Sequence, residues 1–271
     1  MQFLNINWFI TLIICLALLF VSAALYSRFK GIMAVIWIIA ILMFIISLLF
    51  PMAYISKILS QMPIYCSFRA MPYCEVLVSF CVPLAAIVSV SLNKAIKQKA
   101  FLICSQSLIF ILCLAFVSTP YIKPVIRPLN PVIFHEKYSD GVCMQSTSST
   151  CGPACLVTIL NQCGIVDTEL SVAEHSFSCG SGTENWYLAR YARQRGLYYK
   201  FSFIKNIREV QAPAIIGVGV GRSGHFITLL QYKDGLYTIG DPLIGLEKLS
   251  ENELLQKYPF TGFVLSLNVD E

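Results

Sequence analysis

Acidic residues are almost missing from one end of this chain. Residues 1–120 contain a single carboxylate side chain, Glu75, against seven Lys and Arg. Charge is thin throughout. Asp, Glu, Lys and Arg make up 13% of the 271 residues, against about 25% in a soluble globular chain. With 56% apolar residues and a mean hydropathy of +0.69, the composition excludes disorder and argues against an ordinary cytosolic enzyme. The net charge of +5 is too small to indicate a nucleic-acid binder. Histidine is scarce as well, at three residues, and no second His stands with a cysteine pair at zinc-ligand spacing. No metal or cofactor is therefore expected. The phosphate-binding pattern G-x-x-x-x-G-K-[ST] is absent, so the chain carries no ATP site of that kind. Gly219-Val-Gly-Arg-Ser-Gly224 fits G-x-G-x-x-G on paper. It precedes a strand and not a helix, so it reads as the turn before His225.

What is present divides into two halves. Residues 1–120 carry a net charge of +6, and residues 121–271 carry −1. A helix crossing about 30 Å of hydrocarbon needs about 20 mostly apolar residues. Segments 6–26, 32–50, 76–92 and 101–117 qualify. Backbone polar groups in lipid must be satisfied internally, so these segments are expected to be four membrane-spanning helices. Tyr26, Trp37, Tyr54 and Tyr121 fall near several of the ends, where interfacial aromatics gather. No charged side chain lies deep in a span, and this weakens a transporter reading. Arg28 and Lys30, with Lys94, Lys97 and Lys99, mark two short basic loops on one side. The positive-inside rule puts those loops in the cytoplasm and the C-terminal half outside it, in a bacterial cytoplasmic membrane.

Residues 121–138 carry three prolines at near-regular spacing after Pro120, and read as a stiff, extended linker. Residues 139–271 read as one α+β domain. A helix over 152–160 follows the possible caps Ser148, Ser149 and Thr150 and stops near Gly164. A second helix covers 183–195 and stops at Gly196. Strands are expected over 214–220, 225–232, 236–240 and 263–268, with Lys233-Asp-Gly235 as a hairpin turn. Ser250-Glu-Asn-Glu253 is a capping box that opens a short helix.

The chemistry centres on Cys151. It stands at a helix start, where the helix dipole and unpaired backbone N–H groups favour a thiolate, the nucleophilic form. A base within hydrogen-bond reach and a group to orient that base complete a nucleophilic site. His225 opens a strand and Asp241 ends the next one. The hairpin at Asp234-Gly235 brings those two ends within about two residues of opposite pairing. Asp241 is thus suited to fix the tautomer of His225. Gln145, six residues before Cys151, is suited to join the Cys151 backbone N–H in holding an oxyanion.

Gln145-Ser-Thr-Ser-Ser-Thr-Cys151-Gly-Pro-Ala-Cys-Leu resembles the active-site entry of the C39 family of cysteine peptidases. Ala212-Pro-Ala-Ile, Gly224-His225-Phe-Ile-Thr-Leu-Leu, and Tyr237-Thr-Ile-Gly-Asp241-Pro-Leu-Ile-Gly245 resemble its histidine and aspartate blocks. Gly180-Ser-Gly-Thr183 and Ala192-Arg-Gln-Arg-Gly196 resemble the helix between. The resemblance covers most of 140–265 and none of 1–120. It implies a papain-like cysteine peptidase fold for that part, so the expected fold class is an α-helical membrane bundle of four spans, read from the apolar segments, plus an α+β papain-like domain. It further implies Cys151 as nucleophile, His225 as base, Asp241 as orienting acid and Gln145 as oxyanion donor. The substrate it implies is a peptide or protein, as in the double-glycine leader cleavage of bacteriocin processing. The partner it implies is a separate transporter, while membrane lipid is the partner expected from the apolar segments. The sequence departs from transporter-borne members at Thr150, where Asp is usual, and at Pro153, and no ATPase is expected after the domain.

Two other readings use the same residues: a non-catalytic peptide-binding module of an export system, and a transacylase passing the same thioester to an amine. Eleven cysteines leave two pairings open, Cys66 with Cys74 and Cys143 with Cys179, while Cys155 reads as core. Four spans with a loop cysteine pair also resemble membrane thiol oxidoreductases of the vitamin K epoxide reductase class. The C-x-x-C that such a site needs on a span is missing. His135 and His175 have no assigned role; His175 is expected in a polar loop.

Overall fold

The computed structural model describes residues 5–220 and 223–269. The described residues form two compact units, one of residues Asn5–Lys57 and Tyr73–Ile122, the other of Ile58–Pro72 and the described residues from Lys123 onward.

The first unit contains four helices long and apolar enough to cross a membrane: Asn7–Arg28, Lys30–Ile55, Cys74–Ala95 and Lys99–Ser118. Their outer faces leave large apolar side chains such as Ile13, Phe20, Ile38, Leu42 and Phe110 exposed, as a lipid-facing surface requires. The few polar groups bond between or along helices. Tyr26 Oη lies 2.9 Å from Ser91 Oγ, Thr11 Oγ1 lies 2.7 Å from Tyr121 Oη, and Gln106 Nε2 donates to the Ser89 carbonyl at 2.9 Å. Tyr26 also packs edge-on against Trp37 and shares a small core with Ala40 and Ile87.

The second unit is built on a six-stranded antiparallel sheet. Its strands are β3 (Leu197–Phe203), β4 (Ala214–Val220), β5 (Ser223–Lys233), β6 (Leu236–Asp241), β7 (Gly245–Ser250) and β8 (Phe260–Val269). Spatial order is β3-β8-β4-β5-β6-β7. Two short strands, β1 (Tyr138–Ser139) and β2 (Val142–Cys143), form a separate ribbon. The β5–β6 hairpin turns through Asp234 and Gly235, both at positive φ (54° and 79°). This is the backbone a type I′ turn needs, and Asp-Gly supplies it at little steric cost. One sheet face buries Ile216, Val218, Ile227, Leu229, Ile239 and Val264 in a core closed by Leu254 and Tyr258.

The helix Cys151–Gln162, called the Cys151 helix below, packs on β5 and buries every residue from Gly152 to Leu160. A Cβ on Gly152 would sit 2.8 Å from Leu188 Cδ1, so glycine at this position lets the helix approach its neighbour, Asn185–Gln194. The capping box at Ser250 and Glu253 forms as expected and opens the helix Glu251–Lys257.

Several expectations need correction. His175 is not in a loop. It closes a helix, Glu169–His175, and its ring stacks on Tyr191 at 5.0 Å between centroids. Segment 121–138 is not extended throughout, since it makes a helical turn over Ile122–Ile126 and a 3-10 turn over Pro131–Ile133. Prolines early in a turn are compatible with helix because the missing N–H has no helical partner there. Residues 58–72, which the span pattern places inside the N-terminal half, pack with the C-terminal unit. The sheet carries two strands beyond those expected, β3 and β7. Cys66, Cys143 and Cys179 are buried free thiols, so neither suggested disulfide is made. β4 and β5 pair down to Val220 and Ser223, and the remainder of the expected Gly219–Gly224 turn, residues 221 and 222, lies outside the described residues.

Candidate active site

Cys151 is the first residue of its helix and is partly exposed. The expected capping by Thr150 does not occur, since no side chain caps this helix. The Thr150 hydroxyl instead accepts from the Thr147 N–H at 3.1 Å and donates to the Thr147 carbonyl at 3.2 Å, closing a tight turn before the nucleophile position. Pro153 has no N–H, and the first helical bond runs from Ala154 N to Thr150 O at 3.1 Å. The Cys151 and Gly152 N–H groups are thus the helix-start donors left for a ligand oxygen.

His225 comes from β5 and Asp241 from the end of β6. Pairing of Thr228 with Gly240 sets their register. His225 Nε2 donates to Asp241 Oδ1 at 2.9 Å, and both residues are buried. That bond fixes the tautomer and turns Nδ1 toward the thiol. Burial works against the charged imidazole. The Asp241 hydrogen bond and then the adjacent Cys151 outweigh it, and hold the His225 pKa up to about 9. Burial likewise opposes ionisation of Asp241. Bonds from His225, from the Leu243 N–H at 2.9 Å and from the Tyr258 hydroxyl at 2.8 Å outweigh it and keep the carboxyl below its usual range.

Tyr258 is a residue that sequence reasoning missed. Its hydroxyl lies 2.8 Å from Asp241 Oδ2 and 2.6 Å from Glu247 Oε2. A phenol has one proton, so the two carboxylates share it, while Lys257 pairs with Glu247. Nothing local in the sequence links Tyr258 to Asp241 across that separation. Glu169 is a second such residue. Buried at the start of its helix, it accepts from the Ser146 N–H at 2.9 Å and from the Ser146 hydroxyl, and so anchors the segment next to Gln145.

Cys151 and His225 line one cleft of about 390 Å³, together with the apolar Phe203, Phe226 and Phe263 and the polar Thr183, Glu184 and Asn185. Asp241 sits behind His225. Gln145 is held close by, its N–H donating to the Pro242 carbonyl at 3.0 Å. Its side chain does not line the cleft, because Nε2 donates to the Thr147 carbonyl at 2.6 Å and Oε1 is buried without a partner. Cys155, one turn along the helix, donates its thiol to the Phe226 carbonyl at 3.2 Å, and burial pushes that thiol well above its ordinary range. Among the described residues no cluster of three or more His, Cys, Asp or Glu is placed to hold a metal ion.

A thiol at a helix start, facing an imidazole that a buried carboxylate holds, on an α+β scaffold, is the arrangement of papain-like proteins. Residues 140–271 match the model of the Peptidase C39 family, and this part of the chain is a C39 peptidase-like domain. Among curated proteins, an uncharacterized protein of Methanothermobacter thermautotrophicus is 29% identical over 124 residues, covering 46% of this chain and 85% of its own length. One of Methanothermobacter marburgensis is 29% identical over 127 residues, covering 47% and 87%. Among solved structures, a double glycine motif protease from an AMS/PCAT transporter, in complex with the leader peptide, is 25% identical with a TM-score of 0.42. It covers 48% of this chain and 91% of that one. The peptidase domain of Streptococcus ComA, a bi-functional ABC transporter, is 19% identical with a TM-score of 0.42, covering 47% and 96%.

Proposed function

We propose that the chain is a membrane-anchored cysteine endopeptidase acting on a peptide or protein. The observation that carries this reading is the His225–Asp241 bond of 2.9 Å in a cleft shared with Cys151. In this reading Cys151 gives its proton to His225 Nδ1 and attacks the scissile carbonyl carbon. The developing oxyanion meets the Cys151 backbone N–H, and Gln145 joins it after turning its amide away from Thr147. His225 then returns the proton to the leaving amine, and water hydrolyses the thioester by the reverse route. Asp241 holds the ring and stabilises the imidazolium, and Tyr258 and the Leu243 N–H hold Asp241.

The four apolar helices support an anchor in lipid. Residues 58–72 pack in one unit with 123–271, so the loop after the second span and the C-terminal domain share a membrane face. Two spans between them satisfy that parity. The charge pattern places this face outside the cytoplasm. A leader peptide of the double-glycine type and a transporter made from another chain complete the reading. A reporter active on one membrane face only, fused after Glu271, checks the orientation.

The catalytic reading is tested with the purified full chain in lipid nanodiscs and a peptide mixture containing Gly-Gly sites, read by mass spectrometry. Cleavage is expected to fall by about 10³-fold or more in Cys151→Ala. Equal cleavage by both forms would overturn the assignment.

A further inference from the structure

The cleft has a wall that the C39-matching residues do not supply. Ser60 and Gln61, from the segment between the second and third membrane helices, line the same cavity as Cys151 and His225. We propose that these two residues form a substrate subsite, in which the Gln61 carboxamide pairs with the main chain of an extended peptide. The proposal rests on the reading of the cleft as a peptide-binding site.

Ser60 and Gln61 are held by a built interface. Just after them, the helix Pro63–Ala70 docks on Asn185–Gln194. Arg190, itself buried, caps the docked helix. Its Nη2 donates to the carbonyls of Arg69 and Met71, each at 2.8 Å, and its Nε donates to that of Ala70 at 3.2 Å. Carbonyls at a helix end have no helical partner, and a guanidinium fork satisfies several at once. Arg69 is fully buried, with its guanidinium 4.4 Å from the Trp186 ring and its Nη1 donating to Tyr65 Oη at 2.9 Å. Tyr65 packs edge-on against the same tryptophan. Two buried arginines engaged in this way make the docking specific, since each would be costly to leave without partners.

The docked helix then fixes the cleft wall directly. The buried Cys66 thiol donates to the Ser60 carbonyl at 3.3 Å, and Asn185 Nδ2 donates to the Cys66 sulfur at 3.8 Å. Burial pushes the Cys66 thiol up to about 11, so it stays protonated as a donor. Asn185 itself lines the cleft. The path from Arg190 through the docked helix to Cys66, Ser60 and Asn185 thus ends at the cavity. Gln61 is exposed there, and its N–H donates to the Ile58 carbonyl at 3.1 Å. A carboxamide donates and accepts together, as does each peptide unit of an extended chain. The same cleft offers Phe203, Phe226 and Phe263 to an apolar side chain. The substrate class is therefore an extended peptide read partly through its main chain, and the subsite exists only where residues 58–72 are docked.

The test uses the full chain in nanodiscs with Cys151→Ala to prevent turnover. A photo-crosslinking phenylalanine analogue is placed at 61, at 203, another position lining the cleft, and at 64. Ile64 is 83% exposed and lies outside the cleft. A fluorescent leader-type peptide containing a Gly-Gly site is the probe. Crosslinks are expected from 61 and 203 and not from 64. With Cys151 restored, Gln61→Ala is expected to lower kcat/KM by roughly threefold to tenfold, the range one lost hydrogen bond gives. Alkylation of Cys151 by iodoacetamide is expected to stay unchanged, which excludes a folding defect. Crosslinks from 203 with none from 61, or unchanged kcat/KM, overturn the subsite and leave the peptidase reading standing. Crosslinks to a leader-type peptide from 61, in a chain that cleaves nothing, support the subsite and overturn the peptidase reading.

Discussion

The two units handle polar groups in opposite ways. In the four-helix unit polar side chains bond in small local sets of one or two partners, as Tyr26 finds Ser91 and Gln106 finds the Ser89 carbonyl, and the outer faces are left apolar. In the C-terminal unit polar groups are chained. His225 leans on Asp241, Asp241 on Tyr258 and Leu243, and Tyr258 on Glu247 and Lys257. A lone pair in a helix bundle helps hold it together. A chain of pairs fixes one side chain in one orientation, and that is what a general base needs.

The largest effect that sharpens this contrast is expected at Asp241. Asp241→Asn keeps the shape and removes the charge, and kcat/KM for peptide cleavage is expected to fall by about 10² to 10⁴. The direction of the pH effect follows from His225, whose folded pKa is raised from 6.5 to about 9. Activity that needs the protonated imidazole persists to about pH 9 in the parent, and its alkaline limb moves down in Asp241→Asn. Stability follows the same sign. The contribution of the His225 pair is fully present below pH 6.5 and is lost as pH rises through about 9. A pH profile with the same alkaline limb in both proteins would break the claim that Asp241 acts through His225.

Packing gives the next effect. Leu156→Ala, at a fully buried position of the Cys151 helix, is expected to destabilise the C-terminal unit by about 2–5 kcal/mol. Leu42→Ala, on the outer face of the second span at 56% exposure, is expected to change the stability of its unit by less than about 0.5 kcal/mol. Denaturant titration, with probes in each unit, reads both. The smallest effect compares two hydroxyls. Tyr258→Phe removes a hydrogen bond to carboxylates and is expected to cost about 1.5–3 kcal/mol. Tyr26→Phe removes a bond between spans and is expected to cost about 0.6 kcal/mol. Equal costs would mean that the chained network adds nothing beyond its separate pairs.

The contrast also explains what could be read from the sequence. Membrane helices are declared by length and hydropathy, so segment 101–117 lies within helix Lys99–Ser118, and segment 6–26 lies within Asn7–Arg28 except for its first residue. In the C-terminal unit the central strands were legible. β4 has the expected bounds, and the Asp-Gly hairpin and the capping box form. The two missed strands, β3 and β7, are the two edges of the sheet. Edge strands are half exposed and tolerate charge, so Lys200, Glu247 and Lys248 interrupt the apolar alternation that marks a strand. Helix Glu169–His175 is only seven residues long, too short for a clear periodic signal.

The site was legible where it is local. Cys151 at a helix start and the hairpin joining His225 to Asp241 follow from short-range patterns. The Gln145 amide turned to Thr147, the Tyr258 bond to Asp241 and the docking of 58–72 depend on contacts distant in sequence or on one rotamer. No window of sequence encodes them. Cys155 and Cys151 show the same limit. They share a helix face in sequence, yet one is sealed against the Phe226 carbonyl and the other opens on the cleft.

The central claim is that His225 acts on Cys151. It is tested most directly by the rate at which iodoacetamide alkylates Cys151, resolved from the other cysteines by peptide mapping, across pH 5 to 9 in the parent and in His225→Ala. The account predicts that the parent reacts at least about tenfold faster near pH 6, because the imidazolium favours the nucleophilic form of its partner. Equal rates in the two proteins across the range would contradict it.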